Sequence, residues 1–270
     1  MIDVNKNYNE SNLDTMAKMP DNFIDLTVTS PPYDDLRTYN GYSFDFESIA
    51  KELYRVTKQG GLVVWIVGDA TIKASETLTS FKQALFFKQI GFNIHDTMIW
   101  QKPNPIPTQS TRYQQGFEYM FVLAKGKIKT FNPIKTESKC KGVKVKKHRA
   151  KADGHNYNNE GHYVVSNDKM IDNVWAIANV KNKTKHKAIF PEQLANDHIF
   201  SWSNEGDLVY DPFMGSGTTA KMSILNNRNW IGSEISSEYC DIIEERVKKA
   251  LEEKRKEKEL QAQTLFGTPD

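Results

Sequence analysis

The chain has 270 residues, 39% of them hydrophobic and 26% charged, which is an ordinary globular balance with room for a full core. The longest apolar run, Leu62 to Val67, is far too short to cross a bilayer, and Met1-Ile2-Asp3-Val4-Asn5 has neither region of a signal peptide. The formal net charge is only +2, and the two cysteines, Cys140 and Cys240, lack partners at metal-ligand spacing, so they read as reduced thiols of a cytoplasmic protein.

Residues 2–8 predict a short strand, followed by a helix from about Ser11 to Met19. Phe23-Ile24-Asp25-Leu26-Thr27-Val28 is apolar and β-branched and reads as a buried strand. It runs into Thr29-Ser30-Pro31-Pro32-Tyr33, where two prolines end it because neither has an N–H to give. Ser30 precedes a proline and is pushed into an extended conformation. The product is a stiff turn at a strand's carboxyl end, the edge where open α/β sheets bind ligands. It suits a planar ring carrying an exocyclic amine. The Ser30 hydroxyl and the Pro31 carbonyl can each accept a hydrogen bond from NH2, while Tyr33 offers a stacking face. A Pro-Pro-Tyr that merely closes a loop is the bland alternative.

Phe46, Ile49, Leu53 and Val56 stand at helical spacing. Gly60-Gly61 then opens Leu62-Val63-Val64-Trp65-Ile66-Val67, a continuous run of the kind found in central parallel strands, and Gly68-Asp69 ends it. A helix over about Leu78 to Gln89 leads to a strand around Ile94 to Trp100. A Pro-rich loop (Pro103, Pro105, Pro107) precedes Phe117 to Leu123, which predicts a strand antiparallel to its neighbour. Alternating strands and helices predict an α/β, doubly wound sheet.

Residues 125–185 break this rhythm. They are rich in Lys, Asn and Gly, with scattered aromatics (Phe131, Tyr157, Tyr163, Trp175) and no sustained period, and predict an irregular insertion. From Lys125 to Lys187 there are 16 Lys/Arg and 5 Asp/Glu, which leaves 20 basic and 29 acidic residues elsewhere. A basic segment in an acidic body points to a polyanion held at one place, against the plainer reading of a solvated loop. His148, His155 and His162 recur at sevenfold spacing. With no cysteine pair or carboxylate beside them, they read as phosphate or solvent contacts rather than metal ligands.

The α/β pattern resumes at Asp207-Leu208-Val209-Tyr210. Asp211-Pro212-Phe213-Met214-Gly215-Ser216-Gly217-Thr218-Thr219 then leads into a helix through about Asn227. Glycines between a strand and a helix let the backbone pass close to a ligand, with the helix N-terminus facing it. No Lys-Ser/Thr follows the last glycine, so this is not a Walker loop. The next strand, Trp230-Ile231-Gly232-Ser233-Glu234, ends in an acid where nucleotide-binding sheets take ribose hydroxyls. Glu238 to Leu260 predicts a charged amphipathic helix, and Gln261 to Asp270 a loose tail.

Together the two constellations resemble the motifs of the DNA amino-methyltransferases, which move a methyl group from S-adenosylmethionine to an exocyclic base nitrogen. In that family Ser-Pro-Pro-Tyr is the catalytic motif and Asp-Pro-Phe-x-Gly-Ser-Gly-Thr the cofactor motif. The order here, catalytic motif, variable region, cofactor motif, resembles the circularly permuted β group. The resemblance implies a Rossmann-like mixed seven-stranded sheet, built from 1–126 and 186–270, with 127–185 as the target-recognition region. It implies catalytic roles for Ser30, Pro31, Pro32 and Tyr33. It implies cofactor contacts at Asp211, Pro212, Phe213, Gly215, Gly217, Thr218, Thr219 and Glu234. Lys185 to Leu194 is similar to a further cofactor motif, which adds His186, Ala188, Phe190 and Pro191. Asn173-Val174-Trp175 resembles the segment that closes the recognition region.

The implied partner is double-stranded DNA, with Lys144, Lys146, Lys147, Arg149, Lys181 and Lys183 as its candidate phosphate contacts. A cognate restriction endonuclease is a further candidate partner, and the enzyme would work as a monomer or homodimer in a bacterial or archaeal cytoplasm. In the family a serine before Pro-Pro goes mostly with N4 of cytosine, and Asp or Asn with N6 of adenine. Cytosine N4 is therefore the expected target and adenine N6 the alternative. RNA or protein glutamine as acceptor, and a non-catalytic nucleic-acid-binding protein, are more distant readings. The chain departs from the family near its N-terminus, where many relatives carry Gly-Asp and Asn9-Glu10-Ser11-Asn12 stands instead.

Overall fold

The structure, a computed structural model, describes residues 2–32, 44–105, 107, 111–150, 156–179 and 191–266, without the side chains of 146–150, 156–163 and 265–266. In chain order the first half runs β1 (Lys6–Tyr8), α1 (Asn12–Ala17), β2 (Ile24–Thr29), α2 (Phe46–Val56), β3 (Thr57–Val67), β4 (Thr71–Ile72), β5 (Ser75–Glu76), α3 (Thr79–Gln89), β6 (Asn93–Gln101) and β7 (Phe117–Ala124). Then come β8 (Lys135–Glu137), β9 (Lys144–Ala150), β10 (Asn156–Val164), β11 (Asp168–Met170) and β12 (Val174–Ala176). The last part is α4 (Glu192–Trp202), β13 (Leu208–Asp211), α5 (Thr218–Leu225), β14 (Asn229–Ser233) and α6 (Ser237–Phe266).

One mixed sheet has the order β1-β14-β13-β2-β3-β7-β6-β12. Only β7 is antiparallel to its neighbours, β3 on one side and β6 on the other. The eighth strand, one more than expected, is the three-residue β12, parallel to β6 with Val174 opposite Ile99. Too short to carry a period, it is held by Trp175, which is buried. The centre of the sheet follows from its sequence. Leu62 to Val67 are all buried, as a strand covered by helices on both faces requires. In α2 the spacing puts Ile49, Leu53 and Val56 on the buried face, and Asp45 caps the helix by accepting from the Ser48 N–H at 3.2 Å. Phe87 meets Phe46 and Trp65 edge to face, Trp65 meets Phe213 in the same way, and Phe46 lies tilted against Trp65.

The chain folds into two compact units, Met1–Asn132 with Asn173–Asp270, and Pro133–Asp172. The second is regular rather than irregular. Antiparallel β9–β10 carries a bulge between Asn158 and His162, and β11 pairs antiparallel with β8. All six residues of β8 and β11 are exposed, so no alternation of apolar and polar side chains marks them in the sequence. The segments flanking this unit belong to the larger one. Asn132 donates to the carbonyls of Phe200 and Ser203, and Phe131 stacks on Trp202 at 5.0 Å. The last helix also continues through Phe266, beyond the expected start of the tail at Gln261. Among the described residues no helix is long and apolar enough to cross a membrane.

His198 of α4 sits fully buried beneath the sheet. Its Nε2 lies 3.2 Å from Met120 Sδ, its Nδ1 has no hydrogen-bond partner among the described residues, and its ring packs on Trp175 at 4.6 Å. Burial pushes its pKa down to about 3. The folded protein thus holds this imidazole neutral, while the unfolded chain protonates it below about pH 6.5. Its contribution is fully present above that pH and is lost as pH falls toward 3. Between pH 7 and 5 the unfolding free energy should drop by about 2 kcal/mol from this group. Urea titrations of wild type and His198→Phe at both pH values check this. Equal drops in the two proteins would show that His198 is not the titrating group.

Candidate active site

The crossovers diverge between β13 and β2. Through α5 the chain moves from β13 outward to β14, and through α2 it moves from β2 the other way to β3. Such a reversal leaves a crevice at the carboxyl ends of the two strands. Ser30-Pro31-Pro32 leaves β2 there, and Asp211 to Gly217 leaves β13 beside it, with Val209 opposite Leu26 and Tyr210 opposite Thr27. Ser30 and Pro32 are half-buried and Pro31 is buried. Tyr33 lies outside the described residues.

Asp211 joins the two segments. Its Oδ1 accepts from Thr29 Oγ1 at 2.7 Å and from the Phe213 N–H at 3.0 Å, and its Oδ2 accepts from Thr219 Oγ1 at 2.7 Å. The side chain is wholly buried, and burial pushes its pKa up against the pull of those three donors. Asp211 and Thr219 were expected at the cofactor. Their side-chain oxygens face each other inside the protein, where they brace the site from behind. Pro212 is buried and its carbonyl accepts from Asn12 Nδ2, while the Phe213 ring packs on Trp65 and Phe44. Thr218 is also buried.

The two glycines divide the loop. Gly215 has φ +54 and Gly217 φ +83, both in the left-handed region that glycine alone enters freely. Among the described residues a Cβ on Gly215 would meet only the Phe213 carbonyl, at 3.8 Å, so they leave that face open. A Cβ on Gly217 would press on Ile243 of α6 at 3.2 Å. On that face Gly217 makes room for α6, which leaves its backbone as the part expected at the cofactor. Glu234, at the end of β14, accepts from the Gly215 N–H at 2.8 Å and the Ser236 N–H at 2.9 Å. Burial raises its pKa, opposed by those backbone donors, and the charge of Asp211 adds to the rise. Each carboxylate oxygen keeps a second lone pair for a hydroxyl donor. An acceptor pair beside an open glycine suits a nucleoside cofactor.

The turn after β1, where Asn9-Glu10-Ser11-Asn12 stands in place of Gly-Asp, reaches the ends of β13 and β14. Asn9 Nδ2 donates to the Glu234 carbonyl at 2.9 Å, Asn12 reaches Pro212, and Ser11 caps α1. An Asn pair flanking an N-cap serine was the available signal. Ile235, exposed beside Glu234, adds an apolar face. Asp25 has a structural task, accepting from Lys58 Nζ at 2.7 Å and the Leu208 N–H at 3.0 Å. On the far side of Ser30 the edge carries Gly68 and a Lys102–Glu118 ion pair.

Of the residues of the further motif, Pro191 is described, buried ahead of α4, while His186, Ala188 and Phe190 lie outside the described residues. Lys181 and Lys183 lie outside them too. Lys144 is exposed on β9, where Lys146, Lys147 and Arg149 follow with side chains not described. Of the three spaced histidines, His155 lies outside the described residues. Among the described residues no group of three or more His, Cys, Asp or Glu could hold a metal ion.

A family model described as DNA methylase (N6_N4_Mtase) matches residues 24–245, which takes in both strand-end segments. The chain is 57% identical over 236 residues to the orphan methyltransferase M.BamHII of Bacillus amyloliquefaciens, covering 83% of this chain and 89% of that protein. In fold it is similar to the PvuII DNA methyltransferase (cytosine-N4-specific), with a TM-score of 0.66 at 19% identity over 89% of this chain and 85% of that one. It is also similar to M1.HpyAVI in complex with S-adenosylmethionine, with a TM-score of 0.62 at 23% identity over 89% of this chain and 98% of that one.

Proposed function

The chain belongs to the N6/N4 DNA methylase family of S-adenosylmethionine-dependent methyltransferases, and from that premise we propose that it methylates the exocyclic N4 of cytosine at a specific DNA site. The observation that carries this reading is the junction of Ser30-Pro31 with the cofactor-type loop through Asp211. A serine in that position, and the fold shared with a cytosine-N4-specific enzyme, favour cytosine over adenine.

When bound, S-adenosylmethionine supplies an electrophilic methyl group on a sulfonium. Glu234 accepts the ribose hydroxyls, the open face of Gly215 lets the backbone approach, and Ile235 offers apolar surface to the adenine. Phe213 and Pro191 shape the same side, with His186, Ala188 and Phe190 assigned to it by motif. The target base leaves the duplex, at a cost of about a few kcal/mol in unstacking. Ser30 and the Pro31 carbonyl accept the two amine hydrogens and so aim the nitrogen lone pair, Pro32 stiffens the turn, and Tyr33 stacks on the ring. Positioning and polarisation supply the catalysis, and the amine proton leaves after transfer. Residues 127–185 hold the DNA, with Lys144, Lys146, Lys147, Arg149, Lys181 and Lys183 on phosphates. The name orphan on the 57% identical relative favours an enzyme that works without an endonuclease of its own, and its proposed location is the bacterial or archaeal cytoplasm.

The modified nucleoside decides the base. Unmethylated DNA incubated with the protein and S-adenosylmethionine, digested and read by mass spectrometry, is expected to yield N4-methylcytosine. N6-methyladenine would keep the mechanism and overturn the choice of base, and no modified nucleoside on any DNA would overturn the activity.

A further inference from the structure

The loop Gly215-Ser216-Gly217 is held from behind by one side chain that belongs to no motif. Arg246 of α6 donates through Nη1 to the Ser216 carbonyl at 2.9 Å, to Ser216 Oγ at 2.9 Å and to Thr218 Oγ1 at 3.3 Å. Through Nη2 it donates to Glu192 Oε1 at 2.6 Å. The other Glu192 oxygen accepts from Lys221 of α5 at 2.9 Å. One guanidinium therefore ties together the loop, the start of α5 and the start of α4. Its side chain keeps 21% of its surface, so it is a partly desolvated clamp rather than a loose surface ion pair.

A loop with two left-handed glycines has a wide choice of backbone conformations, and an ordered binding surface needs that choice removed. On one side the Gly215 N–H is pinned to Glu234. On the other, Ile243 closes off Gly217, and Arg246, three residues further along the same helix, fixes the peptide between the glycines. The planar fork of arginine reaches Ser216 and Glu192 at once, which a single ammonium cannot do. Burial pushes the Glu192 carboxyl up, but the hydrogen bond and charge of Lys221 and the charge of Arg246 outweigh it and hold it below the usual range.

We propose that Arg246 is a positioning residue of the cofactor site, fixing the Gly215–Thr218 segment in its binding conformation with Glu192 as its counter-anchor. This rests on the reading that the segment carries S-adenosylmethionine. It acts on the cofactor and not on DNA, because no part of the clamp lies in the recognition region.

The test compares wild type, Arg246→Ala, Arg246→Lys, Glu192→Gln and the Arg246→Ala/Glu192→Gln double variant. Cofactor affinity is read by calorimetry, the KM for S-adenosylmethionine and kcat by turnover, and DNA affinity and Tm alongside. Arg246→Ala is expected to weaken cofactor binding about tenfold or more and to raise KM likewise, with kcat at saturation and DNA affinity close to wild type. Arg246→Lys should recover only part of the affinity. The double variant should lose no more than Arg246→Ala alone, because Glu192 acts through the arginine. Wild-type affinity in Arg246→Lys overturns the proposal, even if the alanine variant fails to fold. A parallel fall of cofactor and DNA affinity with Tm also overturns it, since that is a general loss of structure. Failure of the wild type to bind S-adenosylmethionine would remove the cofactor reading itself, and the proposal with it.

Discussion

Ser30→Ala is expected to bind S-adenosylmethionine as the wild type does and to turn over about a hundredfold more slowly or worse. The side chain is half-buried at the carboxyl end of β2, and the next residue back, Thr29, is tied to Asp211. The Thr29–Asp211 bond and the two prolines are expected to keep the turn in place when the hydroxyl is removed. What disappears is one of two acceptors for the target amine, a contact whose value lies in being oriented before the reaction begins. The Pro31 carbonyl alone can hold one amine hydrogen but cannot fix the lone pair in the line of transfer. Calorimetry and single-turnover methylation separate the two effects. A variant that turns over at the wild-type rate would place the acceptors elsewhere on the sheet edge. Lys102–Glu118, across Gly68 from the turn, would then be the pair to examine.

The elements around this site were legible because each had a local cause. The Leu62–Val67 run could only be a strand buried on both faces, and the spacing of Ile49, Leu53 and Val56 could only be a helix with one wet side. The site itself was legible as two segments but not as a junction. Thr29 and Asp211 are 182 residues apart, and their hydrogen bond exists because β2 and β13 became neighbours, which no local pattern records. For the same reason an acid at a strand's end could not be sorted into one that keeps accessible surface or one that the protein encloses. Glu234 keeps accessible surface while Asp211 has none, although both end parallel strands one position apart in the sheet. Gly217 is a similar case, since a missing side chain does not say that Ile243 occupies its space. β8 and β11 escaped because both their faces are wet, and Arg246 because nothing local sets it apart from the other cations of α6.

The junction itself carries the other large expected effect. In Asp211→Ala the hydroxyls of Thr29 and Thr219 and the N–H of Phe213 would lose their acceptor in a site closed to water. At about 1–3 kcal/mol for each stranded donor, with some relief for Thr219 through the Val28 carbonyl at 3.4 Å, the loss should reach roughly 3–5 kcal/mol. That is a large share of a domain's net stability, so the variant should melt far below the wild type and bind neither cofactor nor DNA well. Asp211→Asn has nearly the same shape and separates charge from anchoring. Its carbonyl oxygen can still accept from Thr29 and Phe213, and its amide can donate to Thr219 once that hydroxyl turns toward Val28. Because burial already disfavours the charge on Asp211, removing the charge should cost only about 1–2 kcal/mol. Relief of its repulsion should also lower the pKa of Glu234. The decisive comparison is the order of the melting curves. Wild type should stand above Asp211→Asn, and Asp211→Asn well above Asp211→Ala. An alanine variant that melts with the wild type would mean that the two halves of the site are held together by packing alone.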